Sequence, residues 1–357
     1  MAYSTIDKSS SFQNQVLYTG NAGTQSITGV GFQPDLNWIK CRGAAENHNV
    51  SDSVRGDSGA SSGYYVLNTN STAISSSGSY NALVTALDSD GFSVGINDQV
   101  NIAQPFVAWN WKAGTTSGLS GGTITPSAYS INTTSGFGMY AYTGNSTAGA
   151  TIAHGLGKKP ALIICKRLND TGGWSTYHQS LGATKFMYLD LSDGEDTGST
   201  FWNDTEPTTS VFSLGTHGTV NNSAGTYMAY VWTEVPGYSK ISSYTGNNNT
   251  DGPFIFTGFE VSWVLIKKTN ASGNYWTIWD KARTDDSGNY GNPAGKILHP
   301  NVNNAENAGS VDEIDFLSNG FKVRNTVTGI NGSGDTMIYM AFGQPIISNS
   351  GICATAR

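Results

Sequence analysis

The chain has 357 residues, with 19 Lys plus Arg against 26 Asp plus Glu, a net charge of −7 and only 13% charged residues. Average proteins carry about 25%, and so sparse and acidic a set offers no field for a phosphate backbone, which argues against a nucleic-acid partner. Nine Trp, 17 Tyr and 14 Phe argue against disorder, because a chain without a core is poor in these residues.

The 44 Gly, in a background rich in Ser, Thr and Asn, point to a neutral surface of amides and hydroxyls. No stretch approaches the roughly 18 apolar residues of a membrane span, so no membrane insertion is expected. Met1 to Asp7 shows neither the basic region nor the apolar run of a secretory signal, so a soluble product not secreted by that route is expected. Cys41, Cys165 and Cys353 are odd in number and widely spaced, which disfavours a disulfide framework or a metal knuckle.

In chain order the elements recur. Tyr-Thr-Gly-Asn appears at Tyr18 to Asn21, Tyr142 to Asn145 and Tyr244 to Asn247. A turn glycine, a strand and a lysine follow: Gly31 to Lys40, Gly157 to Lys166 and Gly258 to Lys267. Trp174 to Leu181 matches Trp276 to Arg283 and, more loosely, His48 to Arg55. Phe92, Phe212 and Phe321 share a later place. Each copy closes on a strand, at Phe106 to Trp111, Tyr227 to Trp232 and Ile338 to Gly343. The apolar pattern has period two or short continuous runs between turn residues, with no sustained helical period. Leu36, Trp38 and Lys40 share one strand face, Asn37 and Ile39 the other.

The sequence therefore predicts an all-β protein of three tandem antiparallel β-sandwiches. The first covers 1–114 and includes an N-terminal attachment segment. A flexible linker at 115–125 joins it to the second, at 126–237; the third, at 238–346, follows through a tight Pro236-Gly237 join, and a tail at 347–357 remains. The aromatic closing strands, Trp109 and Tyr230 among them, are expected to fill the space between sheets.

The first unit's motifs are Tyr18 to Asn21, Gly31 to Lys40, Val54-Arg55-Gly56, Asp90-Gly91-Phe92 and Val107 to Gly114. Together with Asn132 to Phe137 and Thr355-Ala356-Arg357, they resemble a module of virion proteins from marine tailed bacteriophages, cyanophages and their relatives. The resemblance is strongest in the first unit and weakest in the third, where Val261 replaces a proline. It implies concanavalin-like jelly-roll sandwiches on an exterior appendage, assembled in the host cytoplasm and used as a tail fibre contacting host-surface polysaccharide. Other virion proteins, and further copies in a homo-oligomer such as a trimer, are the implied partners. The alternatives are a capsid-decorating or head-fibre subunit and, from another class, a jelly-roll polysaccharide hydrolase.

Candidate sites follow from residue chemistry. Arg55-Gly56-Asp57 spells an integrin tripeptide, but Arg283 and Leu181 hold the place of Arg55, which reads as scaffold. Tyr64, Tyr65, Trp202, Asn203 and Tyr290 are aromatic or amide positions outside the repeated landmarks and are nominated for glycan contact. Asp190, Asp193, Glu195 and Asp196 gather four carboxylates around Gly194, oxygen chemistry that suits calcium; no other cofactor is expected. Glu313-Ile314-Asp315-Phe316 resembles part of the Glu-Ile-Asp-x-x-Glu strand of jelly-roll glucanases. The second glutamate of a hydrolytic pair is missing, so no catalytic residue is assigned. The five histidines show no ligand spacing.

Overall fold

A computed structural model describes residues 4–56, 63–74, 83–283, 292, 294–307, 314–348 and 350–351. The fold is nearly all β and every strand pair is antiparallel, as in β-sandwiches. In the first unit the large sheet runs Gln13–Thr19, Pro105–Trp111, Leu36–Cys41, Asn49–Asp52, Leu67–Asn68, and a small sheet runs Gln25–Thr28, Gly91–Val94, Val84–Asp88. The second unit repeats this plan around Phe137–Thr143, Thr226–Thr233, Pro160–Arg167 and Ser175–His178, with Ala150–Ala153 against Val211–Leu214. The third does so around Ser239–Thr245, Thr336–Pro345, Phe259–Lys268 and Thr277–Asp280, with Phe254–Phe256, Gly320–Val323 and Ile314–Leu317 as its small sheet. No helix among the described residues is long and apolar enough to cross a membrane.

Strand register makes the three copies comparable residue by residue. Tyr18 pairs with Phe106, Tyr142 with Tyr227 and Tyr244 with Met337. The third closing strand is therefore matched from Met337, one residue earlier than the expected Ile338, and Trp111, Trp232 and Phe342 are equivalent. Successive side chains on a strand point to opposite faces, and here both faces are buried. Phe106 and Ala108, Tyr227 and Ala229, and Met337 and Tyr339 enter three separate sandwich cores. Val107, Trp109 and Trp111 enter a fourth core with Met228, Tyr230 and Trp232 and with Ile338, Met340 and Phe342. The closing strands thus fill the sandwiches with one face only; the other face builds a core common to all three units. At its centre Trp111 meets Trp232, Trp263 and Phe342 at centroid distances of 6.3, 5.6 and 5.9 Å.

The units are joined in a cycle. Each repeat lysine is fully buried and spans a seam. Lys166 Nζ donates to Gly172 O in its own unit and to Thr72 O of the first (2.6 and 2.9 Å). Lys267 Nζ donates to Asn274 O and to Ser192 O of the second (2.8 and 3.2 Å). Lys40 Nζ donates to Cys41 O and to Asn303 O of the third (2.8 and 3.2 Å). Indole groups repeat the direction: Trp174 Nε1 donates to Asn68 O (3.0 Å) and Trp276 Nε1 to Tyr188 O (3.0 Å), while His48, at the same place in the first unit, abuts His299. A ring of three units with quasi-threefold symmetry results, closed within one chain.

Buried carboxylates complete two of the seams. Asp52 binds Arg55 (2.6 Å) and accepts from Tyr230 Oη of the second unit (2.8 Å). Asp280 binds Arg283 (2.7 Å) and accepts from Trp109 Nε1 of the first (2.8 Å). At the seam between the second and third units all three partners change together: His178 and Leu181 of the second unit and Met340 of the third stand where Asp, Arg and an aromatic donor stand elsewhere. A buried carboxylate needs its guanidinium and its donor, and this seam dispenses with all of them; His178 lies against Tyr339 O (3.3 Å), and burial lowers its pKa to about 4.

One expectation about a connecting segment is corrected. The stretch at 115–125 is not a free linker: Thr115 bridges to Ile131, Gly122 and Ile124 bridge to Ile152, and Ile124 is buried in the second sandwich. The described part of the N-terminal segment docks on its own chain, with Ile6 in the common core, Ser9 N donating to Gln344 Oε1 (2.9 Å) and Gln344 Nε2 donating to Asp7 O (2.7 Å). The Pro236-Gly237 join is tight as expected: Gly237 takes φ 74°, Tyr238 N donates back to Val235 O (3.0 Å), and the pattern fits a proline-glycine turn.

Two predictions follow from the seams. Burial lowers each repeat lysine to about 8 from an ordinary 10.5. The unfolded chain holds more protons between those values, so the lysine's contribution to stability rises with pH across this window and is lost as pH falls through 8. Lys166→Met should cost roughly 2–5 kcal/mol by stranding two carbonyls, and its deficit against the wild type in urea unfolding should widen from pH 8 to 10; a constant deficit would contradict the buried ammonium. His178→Asp alone should cost roughly 3–5 kcal/mol, and adding both Leu181→Arg and Met340→Tyr, which supply the guanidinium and the hydroxyl donor of the first seam, should recover most of it. If the triple variant is as unstable as the single one, the seam exchange is misassigned.

Candidate functional site

The most repeated motif is scaffold. Tyr18, Tyr142 and Tyr244 donate their hydroxyls to Val100 O, Val220 O and Ile330 O (2.6, 2.8 and 2.7 Å), carbonyls in the short helices Asp98–Asn101, Gly218–Asn221 and Thr328–Asn331. The motif asparagines Asn21, Asn145 and Asn247 donate their backbone N–H to the side chains of Asn101, Asn221 and Asn331 (3.0, 2.8 and 2.8 Å). Those three buried amides then donate to Gly95, Gly215 and Asn325 carbonyls. Glycine is required between Thr and Asn, since a Cβ at Gly20, Gly144 or Gly246 would lie 1.9–2.4 Å from a backbone oxygen.

The acidic turn does not form a calcium cage. Asp190 is buried and accepts from Trp174 N (2.7 Å). Asn70 and Asn301 accept in the same way from His48 N and Trp276 N (3.0 and 3.2 Å), so this is a repeat position for a side-chain oxygen. Burial raises the Asp190 pKa. Glu195 is paired with Lys185, and its backbone N–H donates to Thr269 O of the third unit (2.6 Å). Asp193 and Asp196 remain exposed beside Asn270 and Ser272, on an open polar cleft of about 630 Å³. Among the described residues no three His, Cys, Asp or Glu side chains are grouped to hold a metal ion. Asp190→Asn should keep stability within about 0.5 kcal/mol, with equal melting temperatures in calcium and in chelator; a calcium-dependent rise in the wild type would restore the metal reading.

The nominated aromatics separate. Trp202 is buried in the second sandwich, edge-on to Tyr177 at 6.0 Å, and is no surface contact. The four-residue helix Ser199–Trp202 turns it inward. Asn203 caps that helix in the left-handed region at φ 55°, with its amide toward Thr205. Tyr64 packs against the first unit's own core, and Tyr290 lies outside the described residues.

Tyr65 lines a cleft of about 320 Å³ between the first and second units. Its far wall carries Ser127, Thr143, Leu168 and Thr226, none legible as site residues, because the cleft is made by packing two copies together. Arg55, which lines the cleft from the first unit like Tyr65, holds its guanidinium on buried Asp52 and Val50 O, a scaffold role as expected; Asp57 is outside the described residues. Glu313 is likewise outside them, and Asp315 is paired with Arg324 (3.3 Å). The arrangement at Tyr65 offers an aromatic surface beside three hydroxyls, suited to an uncharged polar ligand.

No curated protein and no solved structure matches the chain. One family model, described as a domain of unknown function (DUF7483), matches residues 8–345. That span runs from the segment docked on Gln344 to the end of the third unit's closing strand, the whole ring and not a single sandwich. The chain belongs to the DUF7483 family, whose model covers all three units.

Proposed function

We propose that the protein is a non-enzymatic structural component of the exterior of a bacteriophage particle, a tail fibre or similar appendage that touches host-surface polysaccharide. The observation that carries the glycan part is the Tyr65 cleft, whose lining also includes Ser127, Thr143 and Thr226. Sugar recognition pairs an apolar ring face with hydroxyl partners, and neither depends on charge. The exterior location rests on the motif resemblance and on the low charge of a surface that stays hydrated where salt screens ion pairs within a few ångströms. Against hydrolysis stands the engagement of buried Asp52, Asp190 and Asp280 in scaffold bonds.

A second reading, a capsid-decorating or head-fibre subunit, draws support from the ring itself. One chain with quasi-threefold symmetry suits a seat on a threefold axis, whether of a shell or of a trimeric shaft.

Tyr65→Ala should weaken retention on host exopolysaccharide about tenfold while leaving the melting temperature within a few degrees. Equal retention by the variant would remove the cleft from the proposal. Immunogold labelling of intact particles is expected on the tail; label confined to the capsid would favour the second reading, and unlabelled particles would end both.

A further inference from the structure

The three small sheets differ at one edge. Ile27, Ile152 and Ile255 are equivalent, each facing inward opposite Phe92, Phe212 and Phe321. The flanking outward positions are Ser26 and Thr28 in the first unit, Thr151 and Ala153 in the second, and Phe254 and Phe256 in the third. The first edge is polar and, among the described residues, has no further strand against it. The second is covered: Thr123 N and Ile124 N both donate to Thr151 O (2.9 Å each), Gly122 lies against Ala153 N, and Ala153 is buried. The third has the most apolar edge, with Phe254 48% and Phe256 60% exposed, yet among the described residues no strand or bridge lies along its outer side. A bare edge with large apolar side chains templates strand pairing.

We propose that Phe254–Phe256 is a self-association strand that pairs antiparallel, across a twofold axis, with the same strand of a second copy of this chain. Phe254-Ile255-Phe256 reads the same in both directions. In an antiparallel pair centred on Ile255, Phe254 of each copy stands opposite Phe256 of the other on one face, where directly opposed aromatics stabilise a ladder. Such an interface is isologous and closes at two copies. It joins the two three-stranded sheets into one of six strands and leaves both Ile255 side chains in their own cores. The occupied edge in the second unit shows that this position accepts a further chain segment, which there bridges to Ile152 at Gly122 and Ile124. The patch is far smaller than a standard interface of about 800 Å² per partner, so the dimer is weak and concentration-dependent. Each copy carries −7, and added salt should strengthen it.

This inference is independent of the phage reading. Sedimentation equilibrium of the full chain up to millimolar concentration tests it. The wild type should pass from monomer to dimer, more readily in high salt. F254S/F256T, which installs the first unit's residues, should lower the association constant at least about tenfold with an unchanged melting temperature. Phe256→Lys, a charge on the same exposed edge, serves as a second variant should the first fold poorly. A wild type that stays monomeric throughout, or folded variants that dimerise as well as the wild type, would overturn the proposal.

Discussion

Each large sheet is apolar on both faces, and a sheet of that kind must be covered twice. Its small sheet covers one face. The other faces of all three meet one another, which makes the common core of Trp111, Trp232, Trp263 and Phe342 a consequence of strand composition. A single unit would present Val107, Trp109 and Trp111, or their equivalents, to water. Burial of apolar area is worth about 25 cal/mol per Å², and for half of each central strand that gain exists only when the ring is assembled.

Hydrophobic contact does not choose an orientation, and the polar seams do. A buried ammonium is tolerated only where carbonyls surround it, and every repeat lysine draws at least one carbonyl from its own unit and one from the neighbouring unit. Those bonds fix the order in which units follow one another around the axis. The carboxylate seams add a second lock at two of the three junctions. Their replacement by His178, Leu181 and Met340 at the third shows the physical unit of substitution to be the whole charge cluster.

The fold class was legible because glycine turns and aromatic strands recur in fixed order, and the equivalence of Lys40, Lys166 and Lys267 emerged from the same alignment. What those lysines do was not, since reaching the neighbour's carbonyl is a property of assembled units. The frame of the third closing strand slipped by one because Met337 to Phe342 is apolar throughout, and period two gives no register where both faces are buried. Asp190 looked like a ligand because its sisters are Asn70 and Asn301, set in connecting segments of different length that hide the match. The 115–125 segment looked like a linker by composition, yet Ile124 finds a core. Trp202 looked exposed because a single helical turn leaves no periodic trace.

Three sandwiches that share one core and one set of seams should unfold together. Differential scanning calorimetry of the full chain tests it most directly. One transition is expected, with calorimetric and van't Hoff enthalpies in agreement, the mark of all-or-none unfolding. Two or three resolved transitions, or a van't Hoff enthalpy near one third of the calorimetric value, would mean that the units are independent domains in tandem and that the ring does not hold them.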